Sequence, residues 1–216
     1  MKRVIHRIKD GAKPVTWLFC GDSITHGTYH TCGWRDYTQL FAERVRGGLG
    51  RKLDVVINTA ITGNTSKDLV SQFDWRIGRF RPDVLFLMIG MNDCSCDSDV
   101  DLDQFRGNLS VLADRVESAG GLLVLQTSCP LLKGLSLDRE PYFGPYMQVI
   151  RELAESAGLP LVDHACHWED HRDQHYYWMS DPMHPNEMGH RAMAFKLFHD
   201  IGVFDTSDPV CRLLVL

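Results

Sequence analysis

Five short apolar runs, each followed by a longer amphipathic stretch, constrain the fold of this 216-residue chain more than any other feature. The runs cover residues 15–20, 54–58, 83–89, 121–127 and 161–162. A strand with one wet face alternates apolar and polar side chains. These runs are mostly apolar on both faces, as strands covered by helices on two sides must be. Helical patterns lie between and after them, over residues 36–46, 66–79, 102–119, 142–157 and 187–199. Thr65 or Ser66 suits the N-cap of the second helix, with Asp68 in its first turn. Gly120 and Gly158 stand where helix C-termini are expected. Strand then helix, five times over, predicts a parallel sheet with right-handed crossovers. No repeat, low-complexity tract or linker divides the chain, so residues 1–216 are expected to form one domain with a sizeable core.

Such a sheet binds its ligands outside the carboxyl ends of its strands, and three of those ends lead into polar segments. After the first strand comes Gly21-Asp22-Ser23-Ile24-Thr25, and after the second Asn58-Thr59-Ala60-Ile61-Thr62-Gly63-Asn64. After the third comes Gly90-Met91-Asn92-Asp93, and just before the last helix stands Asp181-Pro182-Met183-His184-Pro185-Asn186. Ester cleavage needs a hydroxyl activated by a base, a group that orients the base, and donors aimed at the developing oxyanion. Ser23 supplies the hydroxyl and His184 the base. Asp181 lies within reach of the same imidazole across one tight turn, and Pro185 disfavours helical geometry at His184. A carboxylate on one ring nitrogen leaves the other free to accept the serine proton. The backbone N–H groups of Ser23 and Gly63 and the side-chain amide of Asn92 are the candidate oxyanion donors; glycine permits close approach and unusual dihedrals. Each segment alone reads as a turn or a helix cap, but the four together, in this order, point to one site. Asp22 and Asp93 are expected to hold their loops through hydrogen bonds to nearby backbone N–H groups.

Gly21-Asp22-Ser23, Gly63, Gly90-Met91-Asn92-Asp93 and Asp181-Pro182-Met183-His184 resemble the four sequence blocks of the SGNH hydrolases, also called GDSL esterases and lipases. Ser23, Gly63, Asn92 and His184 match the four name-giving residues in type and order. The one minor departure is Ile24 where the family has Leu. The resemblance covers nearly the whole chain. It implies a flavodoxin-like three-layer α/β/α sandwich with a five-stranded parallel sheet, and an acyl-enzyme mechanism that needs no cofactor and no metal. The expected substrate is an acetyl or other short-acyl ester, on a carbohydrate among others. The alternatives are a thioesterase or lysophospholipase acting on longer acyl chains, and, from another class, a non-catalytic carbohydrate- or lipid-binding protein. A flavin or nucleotide binder finds no glycine-rich phosphate loop to support it.

The formal net charge of −5 speaks against nucleic acid, which needs a basic face. No stretch is apolar and long enough to span a bilayer. Basic residues within the first thirteen are followed by no apolar run of signal-peptide length. Seven cysteines without regular spacing suit reduced thiols, and a cytoplasmic location is expected. His164, His167, His171 and His175 recur at near-helical spacing, with Cys166 and Asp170 nearby. Zinc binding is one reading, but a solvated connecting segment is preferred because no second ligand motif accompanies them. Tyr29, His30 and Trp34 follow the nucleophile, and Tyr176, Tyr177 and Trp178 precede the Asp–His turn. Of these, Trp34 and Trp178 are the candidate substrate-binding residues. Residues 130–145 form a long connection suited to a wall or lid. The apolar end, Leu213 to Leu216, suits packing on the domain or on a second copy, which leaves a homo-oligomer open.

Overall fold

A computed structural model of the chain describes residues 1–10 and 13–215. Strands β1 (Thr16–Gly21), β2 (Val55–Asn58), β3 (Val84–Met88), β4 (Leu122–Gln126) and β5 (Leu161–Val162) form one parallel sheet in the order β2-β1-β3-β4-β5. That is the doubly wound, flavodoxin-like order, with its switch point between β1 and β3. The helices are α1 (Lys2–Asp10), α2 (Ser23–His26), α3 (Tyr37–Glu43), α4 (Ser66–Ser71), α5 (Phe73–Arg76), α6 (Leu102–Ser118), α7 (Glu140–Ser156), α8 (His164–Glu169), α9 (His175–Trp178), α10 (Glu187–Asp200) and α11 (Pro209–Arg212).

Side chains on a strand point alternately to its two faces, and the strands divide their residues between two apolar layers accordingly. Trp17, Phe19, Phe86, Met88 and Val124 pack with Phe41 of α3 and Leu197 and Phe198 of α10. Leu18, Cys20, Leu85, Leu87 and Leu125 pack with Leu69 of α4, Leu109 of α6 and Ile150 of α7. On the first face Phe19 and Phe86 stack with centroids 4.7 Å apart, and Phe41 meets Phe19 edge-on at 5.1 Å. At the switch point β1 and β3 approach so closely that a Cβ on Gly21 would run into the carbonyl oxygen of Met88.

Several elements differ from the sequence reading. The basic N-terminal segment forms α1, which buries Val4 and Ile8, one turn apart, and leaves its charged residues outside. The helix expected over residues 36–46 turns into a π-helical turn, Arg44–Gly48, after Glu43. Arg44 is buried there, donating to the Val203 carbonyl at 2.8 Å and pairing with Asp208 at 3.0 Å. The helix expected over residues 66–79 breaks at Gln72 into α4, α5 and a 3-10 turn. The break turns Arg76 inward, where it donates to the Asn64 side-chain oxygen at 2.8 Å and to the Thr59 carbonyl. The expected long connection over residues 130–145 is shortened because α7 begins at Glu140. Pro145 lies inside that helix, one turn after Pro141 near its N-terminus.

The histidine stretch is not the solvated connection expected. It forms α8, a 3-10 turn and α9, and buries His164 and Trp168 completely. Cys211 and Leu214 of the C-terminal tail are buried against the domain, while Leu216 lies outside the described residues. Among the described residues no helix is long and apolar enough to cross a membrane.

Asp54 anchors the entry to the sheet. Its buried carboxylate accepts from the Val15 backbone N–H at 3.1 Å, from the Trp17 indole at 2.7 Å and from Arg51 Nε at 2.6 Å. Removing one partner of a buried ion pair leaves the other charge uncompensated. Asp54→Ala is therefore expected to destabilise the fold by about 3 kcal/mol or more. Denaturant titration checks this, and a midpoint equal to the native one would refute it.

Candidate active site

The site is assembled where β1 and β3 end. The Asp22 side chain caps α2, accepting from the Ile24 backbone N–H at 3.0 Å, and so makes Ser23 the first residue of a one-turn helix. A first-turn N–H has no partner within its helix. Ser23 is only 4% exposed, yet its Oγ lies 2.8 Å from His184 Nε2. The imidazole is held from the other side, with Nδ1 2.9 and 2.8 Å from the two oxygens of Asp181. The turn is built around the same carboxylate: Asp181 Oδ1 also accepts from the backbone N–H groups of Met183 and His184, both at 2.9 Å. The Ser180 N–H donates to the His184 carbonyl at 2.9 Å, and Met179 pairs with Pro185 in an isolated bridge. Helix α10 begins only at Glu187, capped by Asn186, so His184 stays in the turn as Pro185 implies.

Partial burial works to raise the Asp181 pKa, but the hydrogen bonds from Met183 and His184 and the charge interaction with His184 outweigh it and hold the carboxyl below its ordinary value. An ionised Asp181 takes the Nδ1 proton of His184 as a donor, which leaves Nε2 to accept from the serine hydroxyl.

Asn92 follows β3, and its side-chain amide donates to the Asn64 carbonyl at 2.9 Å. Asn64 adjoins Gly63, and Thr62 on the other side lies 3.1 Å from His26 Nδ1, at the end of α2. The Gly63 loop is thus tied to the Asn92 segment on one side and to α2 on the other. Gly63 has φ of +84° and open space where a Cβ would stand, so the position requires glycine for its dihedral, not for room. Among the described hydrogen bonds the Gly63 N–H donates to no protein acceptor.

Asp22 and Asp93 are fully buried behind this surface. Asp93 Oδ1 accepts from the Ser66 backbone N–H at 2.8 Å, as a loop-holding residue should. Burial pushes Asp22 up to about 7, with Asp93 pushing the same way, and burial pushes Asp93 up to about 6. Neither carboxylate contacts the imidazole of His184.

Trp34 stands 58% exposed on the loop after α2. Trp178 does not line the cleft as expected: it is 4% exposed and packs edge-on against Trp168 at 5.0 Å. Its sequence position beside the turn is misleading because α9 turns it inward. Within the 164–175 stretch the rings of His167 and His171 lie 4.6 Å apart, while His164 and His175 point to separate partners. His164 Nε2 lies 3.1 Å from Gln126 Oε1, and His175 Nε2 lies 2.6 Å from the Trp168 carbonyl. Burial lowers His164 to about 3 and His167 to about 4.

The residue whose role the sequence reading missed is His30. Its ring stacks on His184 with centroids 3.6 Å apart and an interplanar angle of 8°, and its Nδ1 lies 3.2 Å from Asp181 Oδ2. Among the described residues His30, Asp181 and His184 are the only group of three with metal-ligating atoms this close, within 4.8 Å. In the sequence His30 shows only as one of several aromatic residues after the nucleophile. A cleft of about 560 Å³ adjoins the turn on another side, lined by Leu131, Leu132, Lys133, Phe143, Arg172 and Tyr176 among others. The Leu132 N–H donates to the Pro182 carbonyl at 2.9 Å, which fixes one wall of the cleft to the Asp181–His184 turn.

The model of the GDSL-like lipase/acylhydrolase family matches residues 19–192, and the chain belongs to that family of ester hydrolases. The chain is 28% identical over 212 residues to an acetylxylan esterase from Geobacillus stearothermophilus, covering 86% of this chain and 93% of that one. Solved structures of that enzyme superpose with a TM-score of 0.74 at 22% identity, over 87% of this chain and 94% of that one. Two of them are described as catalytic mutants, one with a serine and one with a histidine replaced by alanine. An alpha/beta hydrolase from the metagenome of Lake Arreo, Spain, superposes with a TM-score of 0.77 at 22% identity, over 90% and 98% of the two chains. At such identities the likeness is one of fold. An uncharacterised protein from Mycoplasma pneumoniae is 38% identical over 102 residues, or 45% of this chain but only 11% of its own length.

The raised pKa of Asp22 gives a signed prediction. The folded state holds this proton more tightly than the unfolded one, for which about 3.8 applies, so the native fold loses stability as pH rises from about 4 to about 7. Asp22→Asn cannot ionise. Its stability relative to native is expected to rise over that interval, read by urea unfolding at both ends. A constant difference would mean that Asp22 titrates normally.

Proposed function

We propose that the chain is a serine esterase that works through an acyl-enzyme, with Ser23 as nucleophile, His184 as general base and Asp181 as its orienting carboxylate. The observation that carries this reading is the unbroken relay from Ser23 Oγ to His184 Nε2 at 2.8 Å and from His184 Nδ1 to Asp181 at 2.8 Å. Ser23 attacks the ester carbonyl carbon while its proton passes to Nε2. The carbonyl oxygen becomes an oxyanion facing the N–H groups of Ser23 and Gly63 and the amide of Asn92. Collapse expels the alcohol, which takes the proton from the imidazolium; water then attacks the acyl-serine by the same route and frees the acid. Asp181 fixes the ring tautomer and stabilises the imidazolium. No step calls for a metal or cofactor.

For the substrate we propose acetyl and other short-acyl esters, carbohydrate esters among them. Three observations support this. The relative with 28% identity over most of the chain bears the name acetylxylan esterase. The neighbouring cleft, lined by none of the catalytic residues but tied to their turn through Leu132, mixes apolar walls with Lys133, Arg172 and the exposed Tyr176, a lining suited to the alcohol part of a carbohydrate ester. Tyr29 and Trp34 stand exposed on the loop that carries His30. The seven cysteines all stand as free thiols, which supports a reducing, cytoplasmic setting.

Ser23→Ala and His184→Ala are each expected to lower turnover of an aryl acetate by about 10⁴-fold with the melting temperature little changed. A serine-directed fluorophosphonate should label the native protein and not Ser23→Ala. Native protein that fails to label would support a non-catalytic binder instead. A His184→Ala variant that keeps native turnover removes the histidine base. In a chain-length series of model esters, rates are expected to decline beyond short acyl groups; a rise towards long chains favours a thioesterase or lysophospholipase.

A further inference from the structure

We propose that His30 is a positioning residue for the base: it supports the His184 imidazole face-on and lies in polar contact with the Asp181 carboxylate, keeping the ring aligned as its charge changes. This rests on the reading of His184 as the base of an ester hydrolase.

The geometry makes the support specific. The two rings are parallel within 8° at 3.6 Å, which leaves His184 no room to tilt towards His30. His30 Nδ1 and His184 Nδ1 both reach Asp181 Oδ2, at 3.2 and 2.8 Å. Asp181 Oδ1 is taken by two backbone N–H groups. Two backbone N–H groups and His184 Nδ1 thus hold the carboxylate, with His30 Nδ1 close on its remaining side, and it cannot rotate without breaking one of these bonds. The loop is bent to present the ring: Tyr29 has φ of 77° and Cys32 of 52°, values that non-glycine residues seldom adopt. Such local strain persists where the surrounding structure enforces it.

The charges agree with a supporting role. Burial holds His30 below the ordinary histidine value, and the His184 ring pushes the same way, with Asp181 opposing. The other groups facing His30 are Tyr29, edge-on at 5.3 Å, and His190, which burial lowers to about 3. As a neutral ring His30 offers an uncharged aromatic face to His184, with its Nδ1 3.2 Å from Asp181 Oδ2. When His184 becomes an imidazolium in the transition state, it then meets a π-face and not a second cation. A metal ion fits the same three side chains poorly, because both Nδ1 atoms are engaged by the carboxylate and the parallel rings do not converge on a point between them.

The test measures kcat and KM against pH for an aryl acetate in native protein, His30→Ala, His30→Asn and His30→Phe, with the fluorophosphonate labelling rate of each. His30→Ala is expected to lower kcat by about 10-fold with KM unchanged, as a base freed to tilt out of alignment would. Its acid limb should move, because the imidazole loses the aromatic face and the polar neighbour beside its carboxylate. His30→Asn, which can donate to Asp181, should recover part of kcat. His30→Phe, which keeps only the face, should recover less. Native kcat and a native acid limb in His30→Ala overturn the proposal; so does a rise in KM alone, which would make His30 a substrate contact. If His30→Ala does not fold, equal losses in the asparagine and phenylalanine variants with the acid limb unmoved overturn it as well. Native protein that neither labels nor turns over defeats the esterase reading itself. Native labelling that disappears in Ser23→Ala, together with an unaffected His30→Ala, defeats only the role of His30.

Discussion

β1 and β3 lie side by side in register, while the chain leaves them in opposite directions across the sheet. Two parallel neighbours whose connections diverge must leave a crevice above their carboxyl ends, because no crossover passes over it. Everything that gathers at the site descends from that pairing. Gly21 permits the approach, since any side chain there would strike the Met88 carbonyl. Asp22 then stops the strand and starts a one-turn helix, so Ser23 is presented at the rim. Across the crevice β3 delivers Asn92, which hooks onto the loop of Gly63.

Around this crevice carboxylates do different work according to their surroundings. Asp181, half-wet and ringed by donors, stays ionised and can orient an imidazole. Asp22 and Asp93, dry and close enough to oppose one another's charge, keep their protons more tightly and serve the backbone. Motif position already sets Asp181 apart as the partner of His184; what the fold adds is how solvent is placed around the three aspartates. The same holds for the histidines. His164 and His190 are buried and held neutral, whereas His184 and His30 share one carboxylate at the surface of the crevice.

The strands were legible because a strand covered on both sides cannot tolerate polar residues, and the runs that satisfy this are short and few. Helix limits were less legible. The break at Gln72 and the π-helical turn after Glu43 exist because Arg76 and Arg44 turn inward to partners more than ten residues away in the chain. Local propensity carries no trace of such partners. Helix α1 was missed because only Val4 and Ile8 mark its inner face. Trp178 and His30 were misjudged for one reason: proximity in sequence to a catalytic motif does not say which way a side chain points.

Apolar periodicity and short motifs specify the architecture, the order of the functional segments and the residue types that a serine hydrolase needs, because both are local properties of the chain. Tertiary structure supplied the burial that sets Asp22 and Asp93 apart from the half-wet Asp181. It also turned Trp178 into the core and brought His30 onto the face of His184, although more than 150 residues separate the two in the chain. Stacking, desolvation and shared hydrogen bonds depend on distances through space, and the chain fixes those distances only once all five strands and their helices are packed.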